Sequence, residues 1–256
     1  MTTFRSIRYC EQDDVARLTL ARPPLNIMTL DMMAEMNEAL ERAARRPGLK
    51  ALVVEGEGKA FSAGVAVEDH APPRLERMLE LFHGIFRALR ALECPTVAGV
   101  HGVALGGGAE LATFCDVVIA GDDARIGQPE IKVGVFPPIA ALHYPHRIGA
   151  ARTLAFLLSG DVVSAAEALR LGLVDRVVER EALAAAVEAQ VARFRGHSAV
   201  VLRLTKRAVR ETLGVAFEPA LRRLEALYRD ELMATEDAGE GLRAFAEKRA
   251  PVWKDR

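Results

Sequence analysis

The sequence predicts a layered α/β fold whose strands are largely parallel. In the first half, apolar segments of strand length alternate with amphipathic segments of helix length. The chain has 256 residues, of which 50% are hydrophobic, so it can bury a large core. The second half becomes rich in Ala, Leu, Arg and Glu with helical spacing. We therefore expect an α/β core over residues 1–195 and a helical region over residues 196–256.

The elements of the first half follow from periodicity and from turn residues. In chain order they are the strand VARLTLARP, the helix TLDMMAEMNEALERAARRPG, the strand LKALVVEG, the helix PPRLERMLELFHGIFRALRAL, the strand PTVAGVHGVAL, the short helix AELATFCD and the strand VVIAG. The motif HYPH is predicted to be a loop, because Pro145 disfavours a helix and no third metal ligand is near in sequence. Further along, Ser164 and Glu167 form a capping box that opens a helix, and Gly172 ends it.

Composition excludes several classes of protein. The net charge is −1, which argues against a nucleic-acid-binding protein. Cys10, Cys94 and Cys115 form no CxxC pair, so neither a disulfide framework nor a zinc site is predicted. No segment reaches the length of a membrane span, and the first residues have no signal-peptide pattern. We expect a cytoplasmic protein without a metal, a membrane anchor or a nucleic-acid partner.

Two glycine-bearing loops, FSAGV and LGGGAE, follow predicted strands. A glycine loop that leads into a helix leaves backbone N–H groups unpaired, and such groups bind anions or an oxygen that becomes negative during a reaction. The alternative is that the glycines only permit tight packing. A dinucleotide-binding fingerprint is disfavoured, because the acid that should end the next strand falls instead in the loop IGQPEIKVG.

Two glutamates accompany these loops. Glu110 lies one turn into a helix of apolar residues, and Glu130 lies in the Gly- and Pro-rich stretch GQPEIKVGVFPP. Each has an ordinary interpretation, as a residue that favours a helix N-terminus or as a solvated loop residue. Brought to one site with different protonation states, the two carboxyl groups could perform acid–base chemistry.

Four motifs in matching order resemble the crotonase (enoyl-CoA hydratase/isomerase) superfamily. They are KAFSAGV, VHGVALGGGAELATFCDVVIA, IGQPEIKVGVFP and the C-terminal GEGLRAFAEKRAPVWKD. The resemblance implies a spiral of ββα units with a C-terminal helical region, usually assembled as trimers or dimers of trimers. It also implies an acyl-CoA substrate and no separate cofactor, since coenzyme A is part of the substrate.

The resemblance assigns roles residue by residue. It implies oxyanion-hole donors at Val65 and Gly107, catalytic carboxyl groups at Glu110 and Glu130, and contacts to coenzyme A at Ala63, Val65, Val67 and Lys248. Beside these, Phe136 and Pro137 are expected to reshape the acyl pocket, and His70 either lines that pocket or is a solvated loop histidine. Lys248 matches a lysine that contacts the coenzyme A phosphate, in some arrangements across a subunit boundary. Glu110 corresponds to the residue that activates water, and Glu130 to the acid that delivers a proton to Cα.

Two departures from the family pattern bear on the substrate. Ala66 stands where the family commonly has Asp, and VFPPIAAL replaces a glycine-rich stretch. The VFPP segment is similar to hydratases of cyclic dienoyl-CoA esters. Because both Glu110 and Glu130 are present, we expect hydration of an α,β-unsaturated acyl-CoA or the reverse dehydration; the alternatives are an isomerase or decarboxylase of an acyl-CoA, or a non-catalytic scaffold that binds RNA. Lys206, Arg207 and Arg210 form a basic helical patch, expected to be a solvated face, with phosphate or RNA contact as the alternative.

Overall fold

A computed structural model describes residues 4–256, and that part of the chain contains nine β-strands and ten α-helices. The strands are β1 Ile7–Gln12, β2 Val15–Leu20, β3 Ala51–Gly56, β4 Thr96–Val100, β5 Val103–Leu105, β6 Val117–Gly121, β7 Arg125–Gly127, β8 Val162–Ser164 and β9 Arg176–Val178. The helices are α1 Leu30–Ala44, α2 Leu75–Ala91, α3 Gly107–Phe114, α4 Pro138–Ile148, α5 Ala150–Ser159, α6 Ala165–Leu171, α7 Leu183–Arg195, α8 Ala199–Thr212, α9 Phe217–Ala226 and α10 Glu236–Ala246. A π-helical turn, Leu227–Leu232, follows α9.

Six strands form the main sheet in the order β1-β2-β3-β4-β6-β9, and every pair except β1/β2 is parallel. Both faces of this sheet are covered. On β3, Leu52 and Val54 belong to the large core that also contains α1 and α2, whereas Ala51 and Val53 pack with α7. The alternation follows from the two-residue period of a strand, and it explains why LKALVVEG is apolar throughout.

The prediction of one strand over PTVAGVHGVAL is wrong, because the chain breaks at Gly102 into β4 and β5. Gly102 has φ of +54°, and a Cβ there would lie 2.0 Å from the carbonyl oxygen of Lys59. The turn redirects the chain into a second sheet of order β5-β7-β8. This break places the end of β5, and hence the glycine triplet, away from the main sheet.

The prediction of a loop at HYPH is also wrong, since Pro145 lies inside α4. Tertiary contacts hold this helix in spite of the proline: Tyr144 is fully buried, and His143 Nε2 is 3.0 Å from the carbonyl oxygen of Thr113. Packing of this kind overrides local propensity. The strand β1, which no sequence pattern indicated, pairs with β2 along its whole length.

Beyond α7, α8, α9 and the π-helical turn enclose a separate small apolar cluster of Val200, Leu204 and Leu227. The basic patch on α8 is not the solvated face that the sequence led us to expect. Lys206 and Arg210 both form ion pairs with Asp116, at 2.6 and 3.1 Å, and dock α8 onto the core. The division at residues 195 and 196 stays a prediction. Within residues 4–256, no helix is long and apolar enough to cross a membrane.

Candidate active site

The glycine triplet forms the start of α3. Gly106 occupies the N-cap position without a side-chain cap, so the first N–H groups of α3 lack the usual capping acceptor. The N–H of Gly106 donates to the carbonyl oxygen of Gly127, and the N–H of Glu110 donates to that of Gly106. Gly107, the first helical residue, has no hydrogen-bond acceptor among residues 4–256. Its N–H is free to bind an oxygen.

A second free donor lies in the FSAGV loop. Val65 forms a parallel bridge with Met28, in which the N–H of Met28 donates to the carbonyl oxygen of Gly64 at 2.9 Å and the N–H of Ala66 donates to the carbonyl oxygen of Met28 at 3.0 Å. In a parallel bridge the N–H of the residue between these two bonds points away from the partner strand. The N–H of Val65 accordingly has no acceptor within the described part of the chain.

The two loops are in direct contact. A Cβ built on Gly107 would lie 2.9 Å from Val65 Cγ2 and 2.9 Å from Phe82 Cζ. A side chain at position 107 would therefore have to displace Val65 or Phe82, and the loop carrying Val65 and the helix carrying Gly107 share one side of the site. Phe82 of α2 supplies an apolar wall there.

Glu110 projects from the first turn of α3 into the protein interior. It is 2% exposed, and its Oε1 accepts a hydrogen bond of 2.7 Å from the N–H of Ala140 in α4. Burial raises the pKa of Glu110 to about 8. That value includes a lowering by the Ala140 N–H and a smaller increase from the neighbouring Glu130 carboxyl group. The interpretation of Glu110 as a surface residue that stabilises a helix N-terminus is therefore excluded.

Glu130 lies in a 3-10 turn, Pro129–Val133, which follows β7 directly. A Cβ on Gly106 would be 2.7 Å from Glu130 Oε1, so this carboxyl group lies against the glycine triplet. The Gln128 amide nitrogen donates to Glu130 Oε1 and Oε2 at 3.0 and 3.2 Å, and its oxygen accepts from Tyr144 Oη at 2.8 Å. Burial raises the pKa of Glu130 to about 7.

The two carboxyl groups act on each other electrostatically, and neither forms an ion pair within residues 4–256. Because their pKa values lie on either side of neutral to slightly alkaline pH, the pair holds about one proton there. One group is then an acid and the other a base. This is the condition for moving two protons in opposite directions in one step.

A groove of about 300 Å³ runs beside the Val65 loop. Its lining consists of Arg22, Pro23, Pro24, Leu25 and Ile27. Ala63 borders it, because its N–H donates to the carbonyl oxygen of Leu25 at 2.8 Å.

The other residues that were predicted to belong to the site differ in exposure and in their contacts. Val67 and His70 are exposed, and His70 Nδ1 contacts the carbonyl oxygen of Ala66 at 3.0 Å. Pro137 is the buried N-cap of α4, whereas Phe136 is 71% exposed. Lys248 follows α10 and has no hydrogen bond or ion pair that joins it to the site in the described chain.

Sequence reasoning missed the residues that hold the carboxyl groups. Gln128 and Tyr144 are fully buried, and Ala140 contributes only its backbone. The only available signal was a polar glutamine two positions before Glu130 in an apolar stretch. Tyr144 gave no signal, since its segment was interpreted as a loop.

The fold brings two backbone N–H groups without acceptors close to two carboxyl groups, an arrangement that is chemically capable of holding a polarised carbonyl oxygen and of acid–base chemistry. The family whose profile matches residues 10–256 is described as "Enoyl-CoA hydratase/isomerase". The chain belongs to this family, the crotonase superfamily, which confirms both the resemblance and the predicted fold.

Relatives support the same conclusion. The chain is 39% identical to cyclohexa-1,5-dienecarbonyl-CoA hydratase of Thauera aromatica, over 97% of this chain and 96% of that protein. It is 33% identical to crotonyl-CoA hydratase of Syntrophomonas wolfei, over 96% of each. The crystal structure of an enoyl-CoA hydratase from Mycobacterium smegmatis superposes with a TM-score of 0.92 at 30% identity, covering 97% of this chain and 99% of that one. The chain is accordingly an enzyme of the enoyl-CoA hydratase type.

Proposed function

We propose that this enzyme adds water across the α,β double bond of an acyl-CoA thioester, or catalyses the reverse dehydration. The observation that carries the proposal is the placement of two carboxyl groups with raised pKa values, the buried Glu110 and the partly buried Glu130, against the helix start that offers the free Gly107 N–H. The hydratases among its relatives support the same reaction class.

In the hydration direction, the water oxygen bonds to Cβ while Glu110 accepts a proton from that water. The π electrons move towards the thioester, whose oxygen becomes negative and accepts hydrogen bonds from the N–H groups of Val65 and Gly107. Each such donor lowers the barrier by about 3 kcal/mol. Glu130 then donates a proton to Cα, the carbonyl reforms, and exchange with solvent restores the protons of the pair.

The two directions begin from different protonation states. Hydration begins with the proton on Glu130, and dehydration begins with it on Glu110. Burial raises the pKa of both groups, so the empty site retains a proton that either carboxyl group can hold. Both arrangements, and therefore both directions of the reaction, are accessible.

For the substrate we propose a cyclic dienoyl-CoA ester. The relative from Thauera aromatica supports this class, and so does the VFPP segment, which carries Phe136 and Pro137 directly after the Glu130 turn. The groove beside Leu25, together with Ala63, Val65 and Val67, would receive the coenzyme A part. His70 would face the acyl end of the same loop.

We also propose a homotrimer or homohexamer in which Lys248 binds a coenzyme A phosphate of a neighbouring subunit. Supporting this, large apolar side chains are exposed on α4, α5 and α10, including Leu142 at 68%, Leu158 at 66% and Phe245 at 87%. Light scattering coupled to size-exclusion chromatography measures the assembly state, and a monomer would contradict this part.

The test of the reaction uses purified enzyme with cyclohexa-1,5-diene-1-carbonyl-CoA and, separately, crotonyl-CoA in heavy-oxygen water. Hydration places solvent oxygen in the product, whereas isomerisation or decarboxylation does not. Glu110→Gln and Glu130→Gln should each reduce turnover by at least about a hundredfold while acyl-CoA binding persists. The exposed Glu181 provides the matched control Glu181→Gln. Near-normal hydration by both site variants would refute the mechanism, and salt-dependent RNA binding without any turnover would favour the scaffold alternative.

A further inference from the structure

A line of buried polar side chains connects α3 with the carboxyl group of Glu130. Thr113 Oγ1 lies 3.3 Å from Tyr144 Oη, Tyr144 Oη lies 2.8 Å from the Gln128 amide oxygen, and the amide nitrogen reaches both oxygens of Glu130. Thr113, Gln128 and Tyr144 are each 0% exposed. Three different elements, α3, β7 with its turn, and α4, contribute to this line.

The chemistry of each group decides how the line is polarised. Thr113 Oγ1 is 2.6 Å from the carbonyl oxygen of Ala109, to which it donates its single proton. Burial raises the pKa of Tyr144, so the phenol keeps its proton, and that proton is directed to the Gln128 oxygen. An amide whose oxygen is engaged in this way must present its NH₂ group to Glu130.

No cation takes the place of this donor. The titratable groups that face Glu130 are Glu110 on α3 and Tyr144 on α4. Lys132 on the same turn and Arg152 on the adjoining α5 form no ion pair among residues 4–256. The amide of Gln128 is therefore the side-chain donor that stabilises the ionised form of Glu130.

We propose that Tyr144 is a positioning residue, whose hydroxyl group fixes the Gln128 amide so that its nitrogen holds the Glu130 carboxyl group in place. Without that hydroxyl, the Gln128 oxygen has no hydrogen-bond donor in the described chain, so the amide is held only at its nitrogen end, by the Glu130 carboxyl group itself. The effect on Glu130 is indirect and passes through Gln128. The catalytic consequence rests on the proposed function; the effect on the proton affinity of Glu130 does not.

The experiment is a thermodynamic cycle that uses Tyr144→Phe, Gln128→Leu and the double variant in the full chain. Proton binding to Glu130 is followed by ¹³C NMR of carboxyl-labelled glutamate without substrate, and Glu130→Gln identifies the signal. Tyr144→Phe should raise the Glu130 pKa by roughly 0.5 to 1 unit, as expected for a weakened hydrogen bond to an ionised group. Gln128→Leu should raise it more, and Tyr144→Phe should add nothing in the Gln128→Leu background.

A second change, expected to move the Glu130 pKa in the opposite direction, keeps the proposal testable if Tyr144→Phe does not fold. Biosynthetic incorporation of 3-fluorotyrosine makes the phenol a stronger donor and should lower the Glu130 pKa. The other two tyrosines are remote from this line: Tyr9 bonds Glu11, and Tyr228 is exposed. In the hydration assay, Tyr144→Phe should reduce kcat about tenfold, leave KM within about twofold, and move the acidic limb of the pH profile upward.

The outcomes separate the two proposals. A Glu130 pKa that changes by less than about 0.2 unit in Tyr144→Phe would show that Tyr144 only fills space. A shift of the same size in both backgrounds would show that Tyr144 does not act through Gln128, and either result would refute the positioning role. If Tyr144→Phe shifts the Glu130 pKa only in the protein that retains Gln128, and that protein turns over no enoyl-CoA, the positioning role is supported and the proposed reaction is refuted. Turnover of an enoyl-CoA by a protein whose Glu130 pKa is unchanged in Tyr144→Phe would support the proposed reaction and refute the positioning role.

Discussion

Replacing Glu110 by Gln should make the protein more stable, and increasingly so as the pH rises. Glu110 is 2% exposed, and burial raises its pKa to about 8 from an ordinary value of 4.5. A carboxyl group whose pKa is raised on folding binds protons more tightly in the folded state, so stability falls as the pH rises between the two values. Glutamine carries no charge at any pH and keeps an oxygen that can accept from the Ala140 N–H.

The magnitude follows from this shift. Below about pH 4.5 the side chain is neutral in both states, so the variant and the wild type should differ little. Between pH 5 and pH 8 the ionised form becomes dominant in the unfolded chain but not in the folded one, which lowers the wild-type stability by about 3 kcal/mol. The repulsion between Glu110 and Glu130 disappears in the variant as well, which acts in the same direction.

Calorimetric unfolding of Glu110→Gln and wild type at pH 5 and pH 8 measures the effect, at one protomer concentration because association also shifts the midpoint. The difference in Tm should widen by roughly 6 to 12 °C between the two pH values for a chain of this length. Glu181→Gln, at an exposed position, should show no widening. A constant difference, or a wild type that is the more stable protein at pH 8, would refute the reasoning that burial of Glu110 destabilises the fold.

Three further predictions concern the reaction, the oxyanion site and the docking of α8. The profile of kcat/KM against pH should be bell-shaped, with its maximum between about 7 and 8, because activity requires one proton on the pair of Glu110 and Glu130. At low pH both groups are protonated and the base is lost, and at high pH both protons are lost and the acid is missing. A flat profile over this range would contradict the prediction. Gly107→Ala should reduce kcat by at least about a hundredfold, since its Cβ would lie 2.9 Å from side-chain atoms of Val65 and Phe82. The control is Gly134→Ala, which should reduce stability more than kcat, because position 134 has open space around it but φ of +81°. Asp116→Asn should lower the free energy of unfolding by about 2 kcal/mol, because Lys206 is largely buried and loses its counter-ion; denaturant titration measures this, and an unchanged midpoint would show that the ion pairs with α8 contribute nothing.

Much of the main sheet could be predicted because its signals are local. The strand LKALVVEG is apolar on both faces because helices cover both faces, and amphipathic spacing marks α1 and α2. Ser164 accepts from the N–H of Glu167 and Gly172 caps the same helix, as the capping box predicted. In each case the residues that determine the structure are within a few positions of one another.

The errors arose where distant contacts override local preference. Pro145 lies inside α4 because the surrounding side chains are buried and hydrogen-bonded, and Lys206 lies against Asp116 although both are ordinary charged residues in sequence. The break at Gly102 depends on the approach of the Lys59 carbonyl, some forty residues earlier in the chain. No window of sequence contains such information.

Contiguous motifs were sufficient to identify the family, and they are also what pointed to the two glutamates and the two glycine loops as candidate site residues. The proton affinity of those glutamates depends instead on the folded chain. Glu110 becomes a weak acid because α4 and the surrounding core exclude water from it, and Glu130 is held by Gln128 and Tyr144, which belong to different elements. A pKa depends on burial and on neighbours in space, and those are properties of the folded chain rather than of any motif.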